Sequence, residues 1–500
     1  MGGLPVGRQG STNVWRLWAR SEDAVRDAFE RGEGWEMTPS GYAENDFILE
    51  FLISSGLWSI ITELVPDKLK KDNGIPWRIL NRLEVVRELA GVHRIEACNK
   101  VIRDARLMLE IGFNPARIKR RQTADRSVVD TETLANHLAR ISEASCQKTF
   151  YEHVRYMRQK RWIRGRVYVA DAHEIIISYG RKYEQIGRVG KKYGYKLVIL
   201  FNNTGGRERI VGFKFAPLQT SERKMLLDIF TDLECQVCSI EELMDIIILD
   251  RGYWGAEYIK ELNEDYGIDV VTRARDENLN MVKEDVDVWI KSGEVKWRWC
   301  EEERSRLGKI KVQYAGFSAV ELLDKKLKVV TEVNVVVAYE YTLSGERLRD
   351  EKGRLRPRMI YVTTLPLGKN PYKIRRHYIG RWSIENQGNR ELTQRWGIDI
   401  LVGHKLNAMR ARLCFVLMLC NSMRILDMKH PKEWWQERDR LKKWGDGGLI
   451  GGLGIVVYTT DGHYGLFTGQ EYTKMVIEAT EARLKAKKAR KRKPQGIDSS

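Results

Sequence analysis

From Asn45 to about Lys160 apolar residues recur at spacings of three and four, as at Phe47, Phe51, Ile60 and Leu64 and again at Val101, Ala105 and Leu109. That period is the mark of helices with one buried face. Gly74-Ile-Pro76 and Gly112-Phe-Asn-Pro115 interrupt it as turns. The spacing predicts an all-helical N-terminal domain over 45–160, preceded by a flexible segment over 1–44 whose start holds Gly, polar residues and scattered Arg. The period then changes. Arg166-Val-Tyr-Val-Ala-Asp171, Tyr195-Lys-Leu-Val-Ile-Leu-Phe201 and Arg209-Ile-Val-Gly-Phe-Lys-Phe215 read as three strands rich in β-branched and aromatic residues. Thr220 or Ser221 can cap a helix through Thr231, and Asp245-Ile-Ile-Ile-Leu-Asp250 suits a strand buried on both faces. A helix over Ala256–Asn263 and a strand over Asp269–Arg273 complete the order β-β-β-α-β-α-β, which places the chain in the α/β class.

Strand-like alternation resumes from about Ala274 to Pro366, as in Val286-Asp-Val-Trp-Ile290, Val295-Lys-Trp-Arg-Trp299 and Val329 to Tyr341. Turns at Ser292-Gly293 and Ser344-Gly345 separate the pieces, so 274–366 reads as a β-rich insertion. Pro371–Trp396, His404–Met428 and Thr473–Lys488 return to helix. The resulting division is a core over 161–273 and 367–430, the insertion between them, and a C-terminal region over 431–500 with a basic tail.

With 43% hydrophobic and 31% charged residues, wholesale disorder and a membrane-embedded chain are both excluded. The longest apolar run, Leu413 to Cys420, falls far short of the ~20 residues a bilayer span needs, so no membrane partner is expected. No apolar stretch near Met1 reads as a secretory signal, and seven thinly spread cysteines argue against a disulfide framework, so a cytoplasmic protein is expected. Cys235 and Cys238 form a C-x-x-C pair, but no second pair accompanies them to complete a zinc site; two small core thiols are the alternative.

The chain carries 86 Lys+Arg against 68 Asp+Glu, a formal net charge of +18, which points to a polyanionic partner. Part of the excess lies in the tail from Glu481 to Lys493, where Glu481 is the only acid. Arg155 to Arg166 also holds no acid, and reads either as a solvated helix face or as a phosphate-contacting one. Trp289, Trp297, Trp299 and Tyr314 in the insertion suit either a core or a stacking surface for an extruded base.

Within this basic chain, two apolar strands end in carboxylates, Asp171 and Asp250. An ionised Asp at the end of a buried strand is costly unless paired. Parallel neighbouring strands would bring the two together, and two such acids at one sheet edge suit a divalent cation such as Mg²⁺, which prefers oxygen ligands. A helix around Tyr378 to Glu385 supplies a third acid, with Arg381 and Glu385 four residues apart on one face and Tyr378 one turn earlier. His173 lies two residues beyond Asp171 and would share its side of a continuing strand, either near the site or as a polar edge residue.

At this point the sequence resembles the DDE transposases of the IS4-like insertion-sequence families, over about Lys160 to Arg424. Val169-Ala-Asp171 resembles the first acidic motif, Ile248-Leu-Asp250-Arg-Gly-Tyr253 the second, and Glu385 the third acid within a Tyr-x₂-Arg-x₃-Glu-x₆-Lys pattern. Tyr378, Arg381 and Glu385 fit that spacing, but the Lys position is Leu392. The resemblance implies a ribonuclease-H-like catalytic core holding the β-rich insertion, with the helical 45–160 region binding DNA. Asp171, Asp250 and Glu385 would be catalytic and metal ligands for two Mg²⁺ ions, with Mn²⁺ able to substitute. Tyr378, Arg381, Arg251, Arg390 and Arg395 would contact DNA, Arg390 or Arg395 replacing the missing Lys, although Arg251 is equally placed to pair with Asp250. The implied activity is cleavage of insertion-sequence ends by phosphodiester hydrolysis and joining of the 3′-OH to target DNA. Partners would be double-stranded DNA and a second copy or more of the chain, in the bacterial cytoplasm at the nucleoid. The alternatives are a catalytically lapsed DNA-binding derivative and a ribonuclease-H-like nuclease that does not join strands.

Overall fold

A computed structural model describes residues 17–33, 35–40, 47–67, 75–114, 129–178, 182–203, 208–274, 280–304, 308–324, 326, 328–383, 390–430 and 454–491. The chain divides into two compact units, one of residues 1–153 with 395–500 and one of residues 154–394. Numbered in chain order, the strands are β1 Ala19–Arg20, β2 Trp35–Ser40, β3 Val167–Ile176, β4 Gly187–Val189, β5 Lys192–Asn202, β6 Arg209–Pro217, β7 Ile246–Leu249 and β8 Asp269–Arg273. They continue with β9 Arg298–Arg304, β10 Gly308–Leu323, β11 Val329–Tyr341, β12 Met359–Thr363, β13 Gly454–Thr459 and β14 His463–Phe467.

The 154–394 unit is built on one ten-stranded sheet, ordered β4-β5-β3-β7-β8-β12-β11-β10-β9, with β6 pairing β5. Its centre meets the expected α/β pattern. β3 runs antiparallel to β5 and β5 to β6, whereas β3 is parallel to β7 and β7 to β8. Each parallel step is bridged by helix, Glu222–Gln236 with Ile240–Leu243 before β7 and Ala256–Glu264 before β8, as parallel pairing requires. Tyr168, Val169 and Ala170 of β3 and Ile247 and Ile248 of β7 are fully buried, which is why these strands read as continuous apolar runs. Between β3 and β5 the backbones pass so closely that a Cβ on Gly194 would lie 2.0 Å from the Ile175 carbonyl oxygen, so no larger residue fits there.

The expected insertion supplies four strands, but they continue the core sheet: β12 pairs antiparallel with β8, and β11, β10 and β9 follow in turn. One of its expected strands is a helix. Val286 to Ile290 lies within Asn280–Ser292, because Val282 and Val286, four apart, are the buried pair, whereas Val288 is 64% exposed. Helical spacing of burial decided the local structure against the alternation of Val286-Asp-Val-Trp.

In the 45–160 region the named elements among the described residues, as far as Gln159, are all helices, the 3₁₀ stretch Ile95–Arg103 included. It does not stand alone. The 1–44 segment, expected to be flexible, carries a helix over Glu22–Arg31, capped by the Ser21 hydroxyl accepting from the Ala24 N–H at 3.1 Å and closed by Gly32 at φ 74°. β1 and β2 flank the β13–β14 hairpin in a four-stranded sheet ordered β1-β14-β13-β2. Val25, Phe29, Val457, Phe467, Met475 and Ala479 pack one core beneath it, the last two on the helix Gly469–Lys491. Residues 395–430, expected to complete the catalytic core, belong to the unit of residues 1–153 with 395–500. Their helix, Leu406–Lys429, is almost wholly buried and held by Arg412, which reaches Glu88 at 2.7 Å and the carbonyls of Trp396 and Gly397 at 3.0 Å.

Candidate active site

Register brings the first two acids together. Ala170 of β3 is paired with Leu249 of β7 in a parallel ladder, so Asp250, the first residue beyond β7, lies beside Asp171; Asp171 does not close its strand as expected but sits mid-strand, because β3 goes on pairing with β5 as far as Ile176. Asp171 is buried, and the Asp250 side chain is 36% exposed where the chain turns into the short 3₁₀ segment Arg251–Tyr253.

The helix Tyr372–Ser383 faces that edge. Arg381, itself buried, places Nη2 3.4 Å from Asp250 Oδ1 and Nη1 3.9 Å from Asp171 Oδ1, bridging the two acids. Tyr378, one turn earlier, donates its hydroxyl to Asp250 Oδ1 at 3.5 Å, and the Arg381 guanidinium lies 5.4 Å from the Tyr378 ring centroid. Burial, reinforced by Asp250 and opposed by Arg381, pushes the Tyr378 phenol up to about 12, so it serves as a proton donor in hydrogen bonds across the ordinary pH range. Beneath the edge Tyr253 is fully buried and its hydroxyl has no partner among the described residues. Burial first, then the charges of Glu222, Asp171 and Asp250, raise its pKa well above the usual range.

Glu385 lies outside the described residues, and among the described residues no three potential ligands cluster as a metal site would. The donor set that is described, two carboxylates converging from adjacent strands, fits a hard cation such as Mg²⁺ or Mn²⁺. The remaining expected residues are distributed unevenly. Arg251 is exposed next to Asp250, and its charge acts on the Tyr378 phenol. Arg390 is exposed and donates to Gln394 Oε1 at 3.0 Å, whereas Arg395 belongs to the other unit. Leu392 is fully buried, so a lysine ammonium at this position would have to leave water. His173 is half-buried on β3.

Much of the Arg155–Arg166 run, read from sequence as either a solvated face or a phosphate-contacting one, is engaged within the chain. Arg155 donates to the Gln236 carbonyl, Arg158 to Cys238 Sγ at 2.5 Å and Arg166 to Asp245 at 2.7 Å, so much of the basic run braces its own unit. Cys235 is exposed, which departs from the reading of this pair as core thiols, and none of the seven cysteines forms a disulfide. Among the insertion aromatics, Tyr314 is buried against Tyr372 at 5.2 Å and Trp289 stacks on Phe317 at 5.0 Å, whereas Trp299 stays 53% exposed beside Tyr341. Arg375, which the sequence reading passed over, proves to be fully buried on the helix of Tyr378. Its only signal was an apolar helix face with an arginine in it.

No helix among the described residues is long and apolar enough to cross a membrane. A family model described as a transposase DDE domain matches residues 158–422, more than half of the chain. No curated protein matches it.

Proposed function

The chain belongs to the DDE transposase family, and from that premise we propose that it binds the ends of an insertion sequence, cuts them by metal-dependent phosphodiester hydrolysis and joins the freed 3′-OH to target DNA. The observation that carries this reading is the convergence of Asp171 and Asp250 at one sheet edge beneath Arg381 and Tyr378.

In this reading Asp171 and Asp250, with Glu385, hold the cations. Two Mg²⁺ ions, replaceable by Mn²⁺, would supply the Lewis acidity that activates water or a 3′-hydroxyl and stabilises the leaving oxygen. Arg381 binds a non-bridging phosphate oxygen of the scissile strand through its guanidinium fork. The Tyr378 hydroxyl, protonated at working pH, orients Asp250 and the strand beside it. Arg251 and Arg390, both exposed in the same unit, add backbone contacts that hold the duplex without reading its sequence. Because two element ends must be processed together, the working species is a dimer or larger on double-stranded DNA, acting at the bacterial nucleoid.

The test is a cleavage and joining assay with the full chain, Mg²⁺ or Mn²⁺, and a plasmid carrying the coding sequence with its flanking DNA. Nicked ends and joined products are expected from the wild type and neither from Asp171→Asn. Cutting without joining would leave a nuclease, and binding without cutting a lapsed derivative.

A further inference from the structure

A buried ionic cluster ties the Tyr378 helix to the far strands of the sheet. Arg375 is fully buried, and each of its guanidinium nitrogens is engaged: Nε with Glu302 Oε2 at 3.0 Å, Nη2 with Glu340 Oε1 at 2.7 Å, and Nη1 with the Tyr361 hydroxyl at 2.8 Å and Met359 Sδ at 3.3 Å. These partners come from β9, β11 and β12. Tyr372, the first residue of the helix, donates to the same Glu302 Oε2 at 2.7 Å. Arg304 reaches both carboxylates, and Arg356 reaches Glu340 at 2.9 Å. Burial would raise the pKa of Glu302 and Glu340, but Arg375, together with Tyr372 and Arg304 for Glu302 and with Arg304 and Arg356 for Glu340, holds both below the ordinary glutamate range.

The chain of contact then runs to the acids. Tyr361, which accepts from Arg375, packs its ring 5.4 Å from that of Tyr378, whose hydroxyl meets Asp250. Arg375, Tyr378 and Arg381 follow one another at intervals of three along the helix. A slip of one residue turns an α-helix by about 100° and moves it about 1.5 Å. Such a slip would carry Arg381 away from Asp171 and Asp250 and strand a buried guanidinium among unmatched partners. Ionic clusters of this kind add little net stability over apolar packing; their best-attested effect is to select one register.

We propose that Arg375 is a positioning residue, clamped by Glu302, Glu340 and Tyr361, that sets the register of the helix presenting Tyr378 and Arg381 to the catalytic acids. This rests on the function proposed above. The experiment compares the full-length wild type with Arg375→Met, Arg375→Lys and Arg304→Met. The last removes contacts to the same two carboxylates from β9 without touching the helix. Cleavage rate at saturating plasmid, half-saturating plasmid concentration and amide hydrogen exchange over 375–383 are measured for each.

Arg375→Met is expected to lower the saturated rate by about 100-fold, the scale of a 1 Å misplacement at a reacting centre, with half-saturation unchanged and faster exchange in the helix. Arg375→Lys recovers part of the rate and carries the test if the methionine variant does not fold. Arg304→Met retains the wild-type rate. Wild-type rate and exchange in Arg375→Met, or equal losses in Arg375→Met and Arg304→Met tracking the folded fraction, overturn the proposal. If the wild type does not cut DNA, the functional reading fails by itself, and unchanged helix exchange in Arg375→Met still refutes the positioning role.

Discussion

Arg381 bridges the two carboxylates that the proposed reaction needs for metal, so its removal has a calculable consequence for cation binding. The guanidinium nitrogens lie 3.4 Å from Asp250 and 3.9 Å from Asp171. At an effective dielectric constant of about 20, unit charges at those separations interact by roughly 4–5 kcal/mol each. Asp250 is 36% exposed, so solvent screening cuts its share to about 1 kcal/mol or less. The Asp171 share survives better because that side chain is buried, but it is partly spent on desolvating both partners. A divalent cation at the same oxygens meets the guanidinium as a competitor and as a like charge. Deleting that charge by Arg381→Met is therefore expected to tighten Mn²⁺ binding by about tenfold, equivalent to about 1.4 kcal/mol, in the absence of DNA. Calorimetric or paramagnetic Mn²⁺ titration of the wild type, Arg381→Met and Asp171→Asn reads this directly, the last variant identifying the site. Cleavage should fall in Arg381→Met while affinity rises. Unchanged or weaker Mn²⁺ binding in Arg381→Met, with binding still lost in Asp171→Asn, would refute the reasoning.

Leu392→Lys, which restores the family spacing on paper, should destabilise the chain by about 3 kcal/mol or more rather than raise activity, because an ammonium would replace a fully buried side chain; denaturant melts and the cleavage assay check both halves. Burial pushes His153 down to about 3, and neither ring nitrogen has a partner among the described residues. The unfolded chain takes up that proton below pH ~6.5 and the folded chain does not, so His153 costs about 2 kcal/mol of stability between pH 7.5 and pH 5; His153→Leu should flatten that part of the stability–pH curve. Glu88 behaves oppositely: burial would raise its pKa, but Arg412 and Arg87 hold it well below the usual range, so its contribution is complete above the unfolded glutamate pKa and is lost as pH falls through the folded one. Glu88→Gln should cost about 3–5 kcal/mol at pH 7, with the gap to wild type closing below pH 4 in chemical denaturation series.

How much of this was legible from sequence depended on whether burial or partnership decided a residue's role. The apolar runs before Asp171 and Asp250 announced two buried strands, and the parallel pairing of β3 with β7 sets the two acids side by side, but Asp171 lies within β3, which pairs with β5 as far as Ile176, and not at its end as the run suggested. Val286-Asp-Val-Trp misled because two-residue alternation and four-residue spacing overlap in so short a stretch, and only packing showed Val282 and Val286 as the buried pair. The β13–β14 hairpin had a readable signal, Ile455-Val-Val-Tyr458 followed by Asp461-Gly462, but its partner strands lie more than 400 residues earlier, and long-range pairing leaves no local trace. Arg375 shows the same limit in side chains. An arginine two residues after Lys373 and beside Arg376 reads as another surface charge until Glu302 and Glu340 are brought over it by strands distant in sequence.

The pairing of β12 with β8 has a consequence for how such a chain can be shortened or rearranged. An inserted module tethered by linkers can be excised at its boundaries, leaving its host intact. Here excision of 298–363 would uncover the ladder side of β8, whose Val270 and Val271 are fully buried, as a bare apolar strand. Such an open edge recruits other chains. Core and insertion are therefore heritable only as one block: a variant lineage can lengthen or trim the turns between β9 and β12, but it cannot drop those strands without trading a paired strand for a self-associating edge.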